Sequence, residues 1–399
     1  MQLMAPKIKE EFLSNPYSFY KKMRLAQEPL YVPHDRLDNS SGGVYLFFCY
    51  HEAIELLKKN KNVSKNISKV RPEEFRSPYD EQLLLSDDDK HLRLRKILAD
   101  FFSIQGVSKF IELIEFQSNN CFSQIKHESK IDLINDFVEI YSLNVIVDIL
   151  GICNFDHQSI RLWSESLLNG IDSILLVNDK KIAQEYQSAK SNMINYIEEI
   201  INERNYNEYG LISYLSNQYL EKRINRSELI GLIIEILFNG HFTVSALIGN
   251  GLNLLLNHKE QINHLKNNDN ALKNMIEEVL RIETPLQRTT YRVTTEPIMI
   301  NDFLLEKNKQ FAVVIGSANR DEKKFINPEK FDIARSSNLH LSFGSGTHNC
   351  IGKHLARAEA FSAFKKLIHL IPAWEITQDI VWKKNTIVRG LDSLHVRRK

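Results

Sequence analysis

The chain has 399 residues, a formal net charge of +1, 43% apolar residues and 25% charged residues. That balance excludes a disordered chain, and so small a basic excess gives no reason to expect nucleic-acid binding. Four scattered cysteines with no Cys-x-x-Cys pair exclude a disulfide framework and a structural zinc site.

Taken in chain order, the first residues, Met1 to Glu11, lack an apolar core behind a basic start, which predicts no secretory signal. Strands are predicted at Leu30–Val32 and Val44–Cys49, around a turn at Ser40–Gly43. No proline occurs between Pro78 and Pro285, a stretch that can therefore hold many long helices. Three- and four-residue apolar spacing places helices at Lys109–Phe122, Ala189–Arg204 and Ala271–Ile282. Glu228 to about Leu256 reads as one helix of roughly 40 Å, with Ser227 as N-cap. It is apolar almost all round and should be buried, with Asn239, Gly240, His241, Thr243 and Ser245 as a polar cluster at its middle. The longest apolar run, Leu229–Leu237, is broken by Glu235 and falls short of the roughly 20 residues that span a bilayer. A cytoplasmic protein without membrane contact is expected. Beyond Pro285, short strands are predicted at Thr289–Thr294, Ile298–Ile300 and Phe311–Ile315. With no repeat and no linker, residues 1–399 read as one domain, mainly α with small β-sheets at both ends.

The most informative segment is Phe343-Gly-Ser-Gly-Thr-His-Asn-Cys350-Ile-Gly-Lys-His-Leu-Ala-Arg357. Gly344, Gly346 and Gly352 surround a lone cysteine, and a strong helix former follows to about Leu370. Glycine allows positive φ and close backbone approach. A sulfur at a helix N-terminus meets free N–H groups that favour the thiolate, a metal ligand. Taken alone, Cys350 reads as an ordinary buried thiol; the glycine frame changes that reading.

The loop resembles the haem-binding loop of the cytochrome P-450 superfamily, Phe-x-x-Gly-x-x-x-Cys-x-Gly, with Phe343, Gly346, Cys350 and Gly352 at matching positions. Three further segments resemble the family in the same order along the chain. Glu278-Val-Leu-Arg281 is similar to its Glu-x-x-Arg lock, whose third, basic partner could be Lys330, Arg335 or Arg320. Asp87-Asp-Asp-Lys-His91-Leu-Arg-Leu-Arg95 resembles its Asp-Pro-Pro-x-His-x-x-x-Arg segment, without the prolines. Gly240 and Thr243 match the oxygen-activating stretch of its central helix. The resemblance covers nearly the whole chain and implies the cytochrome P-450 fold, a triangular helical body with a long central helix over haem b. It implies Cys350 as the ligand to iron, and His91, Arg95, Arg292 and His348 as partners of the haem propionates. Phe343, Gly344 and Gly352 complete the expected haem contacts. The implied activity is hydroxylation of an apolar small molecule with O2, plausible in natural-product biosynthesis. No flavin or iron–sulfur motif occurs, so a ferredoxin or flavodoxin with its reductase should supply electrons to a monomeric enzyme. Lys90, Arg93, Lys96, Lys353 and Arg357 could form the basic patch that receives it.

The sequence departs from the family where Phe242 replaces the usual acid and Asn239 a small residue. Asp302 and Asn308 stand where many relatives have turn glycines. With Phe242 unable to carry protons, water, Thr243, His241 or a substrate hydroxyl must do so, or the enzyme uses peroxide. Phe238, Phe242 and Leu286 suggest an apolar substrate, free or bound to a carrier protein. The competing readings are a peroxygenase or isomerase that needs no redox partner, and a non-catalytic partner protein.

Overall fold

The proline-free middle of the chain folds into packed helices, as its periodicity dictates. A computed structural model describes residues 10–35, 41–59, 61–66, 77–171 and 180–399. Its longer helices are α1 (Tyr17–Ala26), α2 (Tyr50–Lys58), α3 (Asp88–Phe102), α4 (Ile111–Ile125), α5 (Glu139–Leu150), α6 (His157–Ile171), α7 (Lys180–Glu203), α8 (Leu211–Leu220), α9 (Arg226–Asn257), α10 (Asp269–Ile282) and α11 (Lys353–Leu367). Helix α7 begins nine residues before the predicted start and ends where Arg204 takes a left-handed φ of 54°.

Helix α9 organises the rest. Its side chains are buried on every face, against α5, α7, α10 and α11. By length and composition it could cross a membrane, contrary to the reading of Leu229–Leu237, but 83% of its most apolar window is buried inside the protein. The N-cap is Asn225, not Ser227. Asn225 accepts from Glu228 N–H at 2.9 Å, and Glu228 accepts from Asn225 N–H at 3.0 Å, a reciprocal capping box. Ser227 stands one residue before Glu228, whereas the box needs a spacing of three.

A five-stranded sheet lies to one side: β1 (Leu30–Asp35), β2 (Ser41–Phe47), β3 (Val63–Ser64), β4 (Arg292–Thr294) and β5 (Gln310–Val313), in the order β1-β2-β5-β4-β3. The β2–β5 pair is parallel and the other pairs are antiparallel. Ser41–Gly43, expected in a turn, belong to β2 instead; Ser40 lies outside the described residues. Residues 289–291 precede β4, and Ile315 starts a short helix rather than ending β5. Asn308 takes a left-handed φ of 61°, as does Asn301 (51°) in place of its neighbour Asp302. Asparagine tolerates this region better than most residues. Near the C-terminus, Arg389 donates to the carbonyls of Leu13 (2.7 Å) and Ser14 (2.8 Å), tying the two ends of the chain together.

Candidate active site

The loop before α11 and the middle of α9 face each other across a cavity of about 1230 Å³. On the loop side, Gly344 and Gly346 have φ of +69° and +76°, which only glycine adopts without strain. Gly346 also lies on the end of α2, where a Cβ would come within 2.6 Å of the Leu57 carbonyl. Gly352 has an ordinary φ of −81°, so its role is different: an added Cβ would meet no protein atom within 4 Å. The space beside it opens into the cavity. Cys350 N–H donates to the Phe343 carbonyl at 2.8 Å, and this closes the loop. Cys350 lies two residues before the N-cap of α11, deep in the molecule yet open to the cavity. Burial raises the pKa of its thiol; the Gly352 N–H and the charges of Arg95, Arg357 and Lys353 oppose this. The Gly352 N–H at the start of the helix thus favours the thiolate as expected, but burial outweighs it. A coordinated metal deprotonates a thiol outright.

Cations crowd one edge of the cavity. His91 (3% exposed) lies on α3 with its ring centroid 4.1 Å from that of His348, and its Nε2 has no partner. Arg292 donates through Nη1 to the carbonyls of Leu56 (2.9 Å) and Leu57 (3.3 Å), while its Nε has none. Arg95 donates to the Asn349 carbonyl at 3.0 Å and to the Asn349 side chain. Lys65, buried and bonded to Thr290, completes the group; sequence reasoning missed it because it belongs to no motif. Burial, with the surrounding charges of Lys65, His91 and Arg292, pushes His348 down to about 2. Burial and Arg292 push Lys65 down to about 7, against Asp87 and Glu235. Burial brings Arg292 down to about 10. Asp87 and Glu235 are the carboxylates that act on this cluster, and basic groups outnumber them. The partnerless His91 Nε2 and Arg292 Nε fit the two carboxylates of a haem, whose iron Cys350 would hold.

On the opposite wall, Phe238, Asn239, Gly240, Phe242 and Thr243 line the cavity. Thr243 Oγ1 donates to the Asn239 carbonyl one turn earlier at 2.6 Å, and Thr243 itself lines the cavity. The Phe238 and Phe242 rings are 4.5 Å apart and form an apolar wall with Leu286. Gly240 has a packing role as well: a Cβ there would lie 2.6 Å from Ile146 Cδ1. His241 does not belong to this wall. Two residues from both Asn239 and Thr243, it points to the other face of α9, where its Nε2 is 2.9 Å from Glu139 Oε2. Lys383 meets the other Glu139 oxygen at 2.9 Å; against the effect of burial, these partners hold the Glu139 carboxyl well below the usual range. This placement argues against His241 as a direct proton donor in the cavity.

Behind the cysteine loop, Arg281 donates to both oxygens of Glu278 at 2.8 Å, and both side chains are fully buried. The third partner is Arg335, with Nε 3.0 Å from Glu278 Oε2. Lys330 contributes only its backbone carbonyl, and Arg320 pairs with Glu329 and Glu283 instead. Asn338 and the Asp332 N–H supply further donors to Glu278 that no motif announced.

A lone cysteine on a glycine-framed loop, facing a threonine-bearing helix across a large cavity edged by basic side chains, defines a haem-thiolate protein. The family model described as "Cytochrome P450" matches residues 42–371, and the chain belongs to that family. It is 29% identical to the biotin biosynthesis cytochrome P450 of Bacillus subtilis, over 99% of each chain. It is 30% identical to 6-deoxyerythronolide B hydroxylase of Saccharopolyspora erythraea, over 82% of this chain and 80% of that one. A solved structure of a P450 in complex with hexadec-9Z-enoic acid ligated acyl carrier protein superposes with a TM-score of 0.86 at 28% identity, covering 98% of this chain and 100% of that one. The protein is thus a P450 monooxygenase with haem b as its cofactor.

Proposed function

We propose that the whole chain, as one domain, hydroxylates an apolar small molecule of secondary metabolism in the cytoplasm, with electrons from a separate ferredoxin or flavodoxin. The observation that carries this reading is the cavity itself. Cys350 and the cation cluster bound one side, Thr243 the other, and Phe238, Phe242, Leu168, Leu286 and Val388 enclose the rest. Bound haem supplies oxygen activation and the oxidising power for C–H cleavage. Cys350 holds the iron, and His91, Arg95, Arg292, His348 and Lys65 hold the carboxylate edge. The phenylalanines exclude water and orient the substrate. Thr243, its own proton directed to the Asn239 carbonyl, accepts hydrogen bonds from ligands or water in the cavity. A fatty-acyl substrate is supported by the hexadec-9Z-enoic acid in the superposed P450 structure, and a carrier-bound form by its acyl carrier protein.

The test is the carbon-monoxide difference spectrum of the reduced protein, for wild type and Cys350→Ser. We expect a strongly red-shifted Soret band that the variant loses. A protein without haem, or a spectrum indifferent to Cys350, overturns the proposal. Phe242 favours a second reading, peroxide-driven turnover, because it removes the acid from the cavity face of α9 beside Thr243. Product formation with a ferredoxin and reductase, compared with hydrogen peroxide, decides between them.

A further inference from the structure

Glu235 interrupts the most apolar run of the chain, and the site described above does not use it. It lies on α9 two turns before Thr243, about 12 Å along the axis. It is only 8% exposed and forms part of the cavity wall. A carboxyl there is costly unless it is hydrogen-bonded. Its two oxygens accept from the backbone N–H groups of Leu83 (2.7 Å) and Leu84 (3.0 Å). One turn earlier, Gly231 brings α9 into backbone contact with the same segment: a Cβ at Gly231 would stand 2.6 Å from the Pro78 carbonyl and 2.8 Å from that of Glu81. Tyr79, Gln82, Leu83 and Leu84 in turn line the cavity. The segment is also tethered by Asp80, 3.2 Å from Lys190 of α7, and by Glu81, paired with Lys90 of α3. Gly231, Glu235, Phe238, Asn239, Phe242 and Thr243 follow the three- and four-residue spacing of one helix face. The contacts that hold the cavity roof and the residues at the oxygen site are therefore on one rigid stripe.

We infer that Glu235 is a positioning residue: by holding the Leu83–Leu84 backbone against α9, it fixes the height of the cavity roof over Thr243 and selects which ligands fit beneath it. This rests on the monooxygenase reading of the same cavity. Glutamine keeps the shape but turns an N–H donor group toward one of the two backbone donors. Aspartate falls one methylene short. Leucine removes both acceptors.

The experiment uses haem-loaded wild type, Glu235→Gln, Glu235→Asp and Glu235→Leu. Amide hydrogen exchange is followed at Leu83 and Leu84. Dissociation constants are measured from the Soret shift for imidazole, which needs only the iron, and for 4-phenylimidazole, whose ring also fills the space under the roof. We expect Glu235→Gln to lose at least about tenfold protection at Leu83 and Leu84, and to change the ratio of the two azole affinities at least about fivefold with imidazole binding unaltered. Protection within about twofold of wild type overturns the latch, and lost protection with an unaltered affinity ratio overturns the positioning role. If Glu235→Leu does not fold, the near-isosteric glutamine variant carries the test. If the wild type takes up no haem, the monooxygenase reading fails, while exchange at Leu83 and Leu84 in the apoprotein still tests the latch.

Discussion

Single side chains set the charge balance of the site. Lys65 is buried beside Arg292, and its pKa of about 7 reflects that burial and that charge, against Asp87 and Glu235. Haem propionates supply negative charge and raise this pKa. The haem-bound form then keeps its proton to higher pH than the apoprotein, so haem affinity is full below about pH 7 and falls as pH rises above it, by up to about tenfold per unit. Rates of haem transfer to an acceptor protein across pH 6 to 9 check this; Lys65→Met should flatten the profile. Burial and the neighbouring charges push His348 down to about 2 in the absence of haem, and the propionates would raise it as they raise Lys65. The proton chemistry separates two neighbours on α9. Thr243→Val should lower product formed per electron consumed by about tenfold or more. His241→Gln, across the helix, should lower thermal stability and leave that ratio unchanged. The roles of Cys350 and Thr243 were legible because their neighbours form a spaced pattern. The place of His241 was not, since its partners Glu139 and Lys383 lie far away in the chain.

Helix ends and faces decide what the elements can do. Arg93 was expected in a patch for a redox partner, but it clamps Glu228 with contacts of 2.6 and 3.2 Å at the capped start of α9. Arg357 likewise holds Glu277 at 2.6 and 2.7 Å, and Lys90 is paired with Glu81. Among the described residues, Lys96 and Lys353 remain without a carboxylate partner. Lys96→Glu with Lys353→Glu should therefore slow reduction by an acidic partner several-fold at low salt, with the effect fading as salt is added. Unchanged stopped-flow rates would remove the surface from consideration. Asn225→Ala should cost about 1 kcal/mol in a denaturant titration, and Ser227→Ala close to nothing. The Glu235 latch has its own pH signature. Burial lifts this carboxyl to about 7, although the N–H groups of Leu83 and Leu84 and the Lys65 charge pull it down. The closed latch therefore binds this proton more tightly than an exposed carboxyl does, so protection of Leu83 and Leu84 should be full at low pH and fall as pH rises through about 7, once the intrinsic exchange rate is divided out. The span of α9 was legible from its apolar length. Its cap was misplaced because Ser227, next to Glu228, is itself a common capping residue, whereas the reciprocal bonds form at the Asn225–Glu228 spacing.

Across the whole molecule, one buried ionic knot holds together segments distant in sequence. Arg281 binds Glu278 and also the carbonyls of Asn319 (3.0 Å), Pro328 (2.7 Å) and Lys330 (3.1 Å), while Arg335, Asn338 and the Asp332 N–H converge on Glu278. Removing the acid leaves the Arg281 charge buried without its partner. Glu278→Ala should destabilise the protein by about 3–5 kcal/mol, seen as a lower urea midpoint. Arg335→Leu should cost less, because Arg281 still neutralises the carboxylate. The sequence showed the Glu278–Arg281 pair by its spacing of three but could not choose among Lys330, Arg335 and Arg320. That choice is made by how residues 319–338 wind over α10, which no local pattern encodes.

The burial of α9 has a consequence for how the chain is made. One of its covers, α11, is encoded roughly a hundred residues after α9 ends, so during synthesis the greasiest segment of the protein emerges long before that cover exists. For that interval it offers ribosome-associated factors a stretch that by composition alone reads as a membrane span. Yield of intact enzyme should then depend on holdase chaperones and on slow elongation, and should rise when the culture is cooled.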